Sequence, residues 1–135
     1  MINKAMNITE IQLKELARAA WECRDRGYVL GNTKVGTAVM SSDGCIFQGC
    51  NVEHRFRCHD VHAEVNAITT MVAAGKTELV AIVIAAEKEF FMPCGSCMDW
   101  IFQFGGSSAI VGYQSKEGGE IRIFRAQDLM PYYPK

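Results

Sequence analysis

Two short groups hold the residue types that could do chemistry: His62-Ala63-Glu64, and further along Pro93-Cys94-Gly95-Ser96-Cys97. An imidazole and two thiolates are borderline-soft donors that suit zinc, and three protein ligands leave the fourth tetrahedral position to water. The Cys-x-x-Cys spacing sets both sulfurs on one side of a first helical turn. There the free backbone N–H groups and the positive end of the helix dipole favour thiolate. Two thiolates and a neutral imidazole cancel the charge of the cation, and such a site still acidifies water, to a pKa of about 7 in catalytic cases. Glu64 stands two residues beyond His62 and is not expected to share its direction. It can reach the water instead, take its proton and return it to a leaving group. Read alone, Cys94 and Cys97 also fit a redox dithiol or a pair of core thiols, but neither accounts for His62-x-Glu64.

The elements around these groups must bring them together. Thr9 caps a first helix, with Gln12 completing a capping box. Leu13, Leu16, Ala17 and Ala20 recur at helical spacing, and Gly27 is the expected stop. KVGTAVMS and CIFQGCNV read as strands joined by the turn Ser41-Ser42-Asp43-Gly44. HAEVNAITTMVAAG follows as a helix with Ala63, Ala67, Met71 and Ala74 on one stripe and Gly75 as its stop. LVAIVIAA is a central buried strand. CGSCMDWIFQF is a helix opened by Pro93. SAIVGYQ and EIRIFRA are strands separated by the turn Lys116-Glu117-Gly118-Gly119. The order α-β-β-α-β-α-β-β implies a mixed sheet with helices on both faces. In a helix-strand-helix arrangement, two helix N-termini can converge at one end of such a sheet, close enough for His62, Cys94 and Cys97 to share an ion.

The chain's 135 residues fit one domain, expected over 1–135. The 14 basic and 15 acidic residues nearly cancel, which gives no electrostatic footprint for nucleic acid or an anionic membrane. No apolar run is long enough to span a bilayer, and MINKAMNITE lacks the pattern of a signal sequence, so a cytoplasmic location is expected. In that setting the 6 cysteines point to metal, catalysis or buried thiols before disulfides. Cys23, Cys45 and Cys50 are read as small buried hydrophobes.

The composite H-x-E … P-C-x-x-C is the signature of zinc-dependent nucleobase deaminases, and from Gly27 onward the chain resembles the cytidine deaminase family in its small single-domain branch. SSDGCIFQGCNVEH looks like that family's hairpin with its Gly-Cys-Asn-Val-Glu end, and AQDLMPYYP looks like its closing segment. The resemblance implies a three-layer α/β/α sandwich with a mixed five-stranded sheet. It implies Zn2+ held by His62, Cys94 and Cys97, and Glu64 as the catalytic acid-base. Asn51 and Glu53 would bind the ribose hydroxyls, and Ala63 would touch the substrate. It further implies a homo-oligomer, commonly a tetramer whose pockets borrow residues from neighbours, and a place in pyrimidine salvage.

Several positions depart from the family. Many members use Cys where His62 stands and Arg where Val65 stands. The two changes agree electrostatically, because a neutral centre needs no compensating cation. Thr33 takes the place of a Phe that stacks near the base, His54-Arg55-Phe56-Arg57-Cys58 replaces Asn-Ala-Ser-Tyr-Gly, and Met98-Asp99 replaces Arg-Gln. Base stacking and pocket polarity are therefore expected to differ. The run from His54 also resembles the blasticidin S deaminases, which lack the glutamate that Glu53 retains. Arg55 and Arg57 read as a solvated or subunit-contact loop, with Cys58 and His59 as a rival ligand pair. Trp100, Phe102 and Phe104 are expected to pack on the sheet or a neighbouring subunit.

The leading expectation is hydrolytic deamination of a cytosine nucleoside to the uracil nucleoside and ammonia. A modified or antibiotic nucleoside is the alternative substrate, since Thr33 leaves room where a ring is usual. A thiol-disulfide oxidoreductase on Cys94 and Cys97 and a binding protein with structural zinc are remoter alternatives.

Overall fold

The computed structural model describes residues 8–134. Its elements run α1 (Glu10–Arg24), β1 (Gly36–Ser41), β2 (Ile46–Cys50), α2 (Ala63–Ala73), β3 (Leu79–Ala85), α3 (Gly95–Gly105), β4 (Ile110–Gln114), β5 (Arg122–Arg125) and a short α4 (Ala126–Leu129), with a 3-10 turn at Arg57–His59. The expected order holds, and the 3-10 turn and α4 are additions to it.

The sheet order is β2-β1-β3-β4-β5. β1 is antiparallel to β2 and β3, β3 is parallel to β4, and β4 is antiparallel to β5. The parallel pair needs a crossover, and α3 supplies it. β1, β3 and β4 are buried at every position because helices cover both faces. Their side chains alternate between two cores. Ala38, Met40, Ala81, Val83 and Ala85 face Leu16, Ala20 and Trp21 of α1. Val39, Ile82, Ile84 and Val111 face Ala67, Ile68, Met71 and Ile101 of α2 and α3. This is the mixed five-stranded α/β sandwich that the sequence implies.

Some boundaries differ from expectation. Thr9 and Gln12 form the capping box, but α1 ends at Arg24 with Asp25 as its cap. Gly27 serves close packing instead: a Cβ there would lie 2.8 Å from Asn51 Oδ1. Pro93 precedes Cys94, the N-cap of α3, so it stands outside the helix. Ala74 is exposed and caps α2 rather than extending its buried stripe, with Gly75 beyond it at φ +89°. Cys23 is buried as expected, whereas Cys45, placed by the hairpin turn, is exposed and Cys50 is half-buried. Trp100, Phe102 and Phe104 pack at the edge of the core, as does Leu129.

The register fixes where chemistry can occur. Gly36 pairs with both Cys50 and Ala85, so the start of β1 and the ends of β2 and β3 lie side by side. The segments holding Thr33, Asn51 and Phe91 all leave the sheet at this one end.

Candidate active site

α2 and α3 deliver their N-termini to that end. His62 is the N-cap of α2 and Cys94 the N-cap of α3, both with extended backbone and neither using its side chain to cap. Each side chain is thus left to turn toward the other, while Cys97 sits in the first turn of α3. Two side-chain hydrogen bonds seat α2. Thr37 Oγ1 on β1 donates to the Ala63 carbonyl at 2.6 Å, and Asn66 Oδ1 accepts from the Cys50 N–H at 2.9 Å. Gly49 lets the helix approach, because a Cβ there would stand 2.2 Å from the Ala67 nitrogen.

His62 Nδ1 lies 3.3 Å from Cys97 Sγ and 3.4 Å from Cys94 Sγ, and the three donors fall within 4.8 Å of one another. Tetrahedral zinc with bonds of about 2.0–2.1 Å to nitrogen and about 2.3 Å to sulfur separates its N and S ligands by about 3.6 Å. The donor set therefore fits zinc in type and spacing, and His62, Cys94 and Cys97 are positioned to bind it. Cys97 is buried while His62 and Cys94 are exposed and line a cavity, so one side of the group is open. Burial, and after it the nearby Glu64 carboxylate, pushes the Cys97 thiol up. A cation at this point reverses that preference.

Glu64 is 3% exposed. Desolvation raises its carboxyl above the ordinary range, opposed by its own backbone N–H, by His62 and by a hydrogen bond with Cys97. A buried carboxyl so raised is better able to accept and return a proton than an exposed one. It lines, with His62, Ala63 and Cys94, a cavity of about 440 Å³. A larger hollow of about 950 Å³ between α1 and the turn after β4 contains none of these residues.

Asn51 and Glu53 line the same cavity, and each already has protein partners. Asn51 Oδ1 accepts from the Val35 N–H at 3.0 Å and its Nδ2 donates to the Thr33 carbonyl at 2.9 Å, which ties down the segment before β1. Glu53 Oε1 accepts from the N–H groups of Leu30 and Gly31 at 2.7 and 2.9 Å. Those bonds hold the Glu53 carboxyl below its ordinary value. Arg57 is not simply a solvated residue: it lines the cavity and bridges Glu53 Oε2 at 3.3 Å and Asp60 Oδ2 at 2.9 Å. The 3-10 turn, invisible in the sequence, carries it there.

Other expectations fall away from the cavity. Cys58 and His59 are exposed and outside the metal-donor group, His59 instead standing edge-on to His54 at 5.0 Å. Met98 is a core residue, and Asp99 accepts from the Tyr133 hydroxyl at 2.7 Å. Neither residue is among those lining the cavity. Thr33 does line the cavity, and so do Phe91 and Met92, which sequence reasoning passed over. Their signal was the run Phe90-Phe91-Met92 directly before Pro93.

Comparisons with known proteins agree with this geometry. Residues 10–113 match the model of the cytidine and deoxycytidylate deaminase zinc-binding region. The chain is 28% identical over 123 residues to a cytidine deaminase of Sporosarcina psychrophila, covering 90% of each. The crystal structure of a cytidine deaminase from Burkholderia pseudomallei superposes with a TM-score of 0.80 at 31% identity, covering 87% of this chain and 95% of that one. That of the cytidine deaminase from Mycobacterium tuberculosis superposes at 0.76 with 26% identity, covering 89% and 94%. With its zinc donors gathered at two helix N-termini and most of its length inside the matched region, the chain belongs to the cytidine deaminase family.

Proposed function

We propose that this protein hydrolyses the amino group from the base of a cytosine nucleoside, giving the uracil nucleoside and ammonia. The observation that carries the reading is Glu64, a buried carboxyl beside the His62, Cys94 and Cys97 donors and open to the same cavity. Structural zinc needs no such group, and a redox dithiol leaves both His62 and Glu64 without a purpose.

His62, Cys94 and Cys97 would hold zinc, which when bound would acidify a water molecule for use as the nucleophile. Glu64 takes a proton from the attacking water and passes it to N3 of the ring as the new C4–O bond forms. It then carries the proton of the new C4 hydroxyl to the exocyclic nitrogen, so that the C4–N bond breaks, C4=O forms and ammonia departs. Its raised pKa suits both directions of transfer. Ala63 lies against the ring. Asn51 and Glu53 receive the sugar, Glu53 through the edge of its carboxylate that faces Arg57.

The same reading makes the chain one catalytic domain of a cytoplasmic homotetramer in pyrimidine salvage. Exposed Ile11, Phe56 and Tyr132 support assembly, and no helix among the described residues is long and apolar enough to cross a membrane.

Zinc-loaded protein is tested on cytidine, deoxycytidine and cytosine by ammonia release. Turnover of the nucleosides supports the proposal. Inactivity on every cytosine compound overturns it.

A further inference from the structure

The cavity beside Glu64 has one hydrocarbon aromatic in its lining, and it is Phe91. Thr33, on the segment entering β1, offers a methyl and a hydroxyl where a ring could stand. A planar heteroaromatic ring gains from an offset aromatic face, so where that face sits helps decide which bases fit.

We infer that Phe91 is the face on which the substrate's pyrimidine ring stacks, and hence a specificity-determining residue. The inference rests on the cytosine-nucleoside reading above. Phe91 is three residues before Cys94, so its ring borders the site of chemistry. It is half-buried and packs against the core on the α2–α3 side of the sheet, which fixes the ring before substrate arrives. The segment carrying it is held at several points. The Ala86 N–H donates to the Gln114 carbonyl at 3.4 Å, and the Lys88 N–H to the Ala86 carbonyl at 2.8 Å. The Arg122 guanidinium covers the neighbouring Phe90 ring at 4.6 Å. Phe90 thus faces outward under a cation while Phe91 faces the cavity. The pocket has its ring on the strand-to-helix connection that leads to the zinc donors, and it is open at position 33.

The test measures uridine binding by calorimetry and cytidine KM by ammonia release on zinc-loaded wild type, Phe91→Ala, Phe91→Leu and Phe91→Tyr. Melting temperature and zinc content are checked for each. Removing the aromatic face raises uridine Kd and cytidine KM about five- to hundred-fold in Phe91→Ala. Phe91→Leu, which keeps apolar bulk and folds most readily, retains most of that loss, and Phe91→Tyr restores binding. A folded, zinc-loaded Leu variant that matches wild type overturns the stack. Wild type that binds uridine yet releases no ammonia from cytidine overturns the deaminase reading and leaves the stack to be judged by uridine alone. Wild type that neither binds nor turns over overturns both.

Discussion

Arg57 Nη2 lies 3.3 Å from Glu53 Oε2, on the edge of the carboxylate not occupied by the Leu30 and Gly31 N–H groups. A carboxylate has room for about four hydrogen bonds, so Oε2 can serve Arg57 and a sugar hydroxyl together. Arg57 also holds Asp60 at 2.9 Å, and its planar fork spans the two acids. Its side chain is 58% exposed, so solvent screens the pair and the effect is modest. Arg57→Ala is expected to raise KM for cytidine about two- to five-fold with little change in kcat. Arg57→Lys recovers only part, because a point ammonium cannot span both partners. Steady-state kinetics of the two variants checks this, and a loss confined to kcat would contradict it.

Glu53 also sets a pH dependence. Its folded pKa lies below the ordinary 4.5, chiefly through the Gly31 and Leu30 N–H groups. A carboxyl depressed in the folded state contributes stability above its unfolded pKa and loses it as pH falls through the lower folded value. Wild type is therefore expected to exceed Glu53→Gln in urea resistance at pH 7 and still at pH 5, with the gap closing only below about 4.5. Urea melts of both proteins across that range measure it. A gap that closes above pH 6 would assign the effect to another group.

Glu64→Gln removes the proton carrier while keeping the shape of the buried side chain. Because Glu64 stands outside the donor group of His62, Cys94 and Cys97, zinc content is expected to stay at wild-type level. General acid-base catalysis contributes about 10²–10⁴-fold, and kcat should fall by that much. Metal analysis and turnover on the same preparation separate the two effects. Full turnover by the variant would remove Glu64 from the chemistry.

Metal removal tests the thiols. Without a cation, burial and Glu64 keep the Cys97 thiol high, so it is protonated at neutral pH. Zinc binds thiolate, and loading metal-free protein at pH 7 is expected to release at least one proton per ion, from Cys97. Calorimetry in buffers of different ionisation enthalpy counts the protons, and a chelator should lower the melting temperature as it strips the ion. Zinc uptake with no proton release would exclude Cys97 as a ligand.

Much of this was legible in the sequence because it is local. The capping box at Thr9 and Gln12, the turn at Gly44 and the apolar run of β3 each state their own geometry. The zinc donors were legible because residue type and spacing narrow the chemistry. What the sequence hid depends on segments distant along the chain. Arg57 joins the pocket only because a 3-10 turn folds it back on Glu53. Phe91 and Phe90 take opposite sides of one segment, which periodicity cannot assign in a connection without regular structure. Asn51 reads as a ligand contact, and in the structure its side chain clamps the backbone at Thr33 and Val35. Gly27 read as a helix stop and proved to make room for Asn51.

Gly49 joins the fold to the site most directly. It sits in β2 beneath α2, where an added Cβ would lie 2.2 Å from the Ala67 nitrogen and 2.6 Å from the Ala63 carbonyl oxygen. Both neighbours are helix backbone, so no side chain can swing aside and α2 must lift from the sheet. Lifting α2 strains the Thr37 bond to Ala63 and the Asn66 bond to Cys50, and it carries His62 away from the two sulfurs. Gly49→Ala is therefore expected to cost about 1–3 kcal/mol of stability or more, and to weaken zinc binding together with turnover. Gly44→Ala serves as a control. It meets no atom within 4 Å but carries φ +92°, so it pays only backbone strain in an exposed turn and leaves zinc affinity unchanged. Thermal melts and zinc titration of the two variants decide it. Equal zinc affinity in both would mean that α2 does not position His62 through its contact with β2.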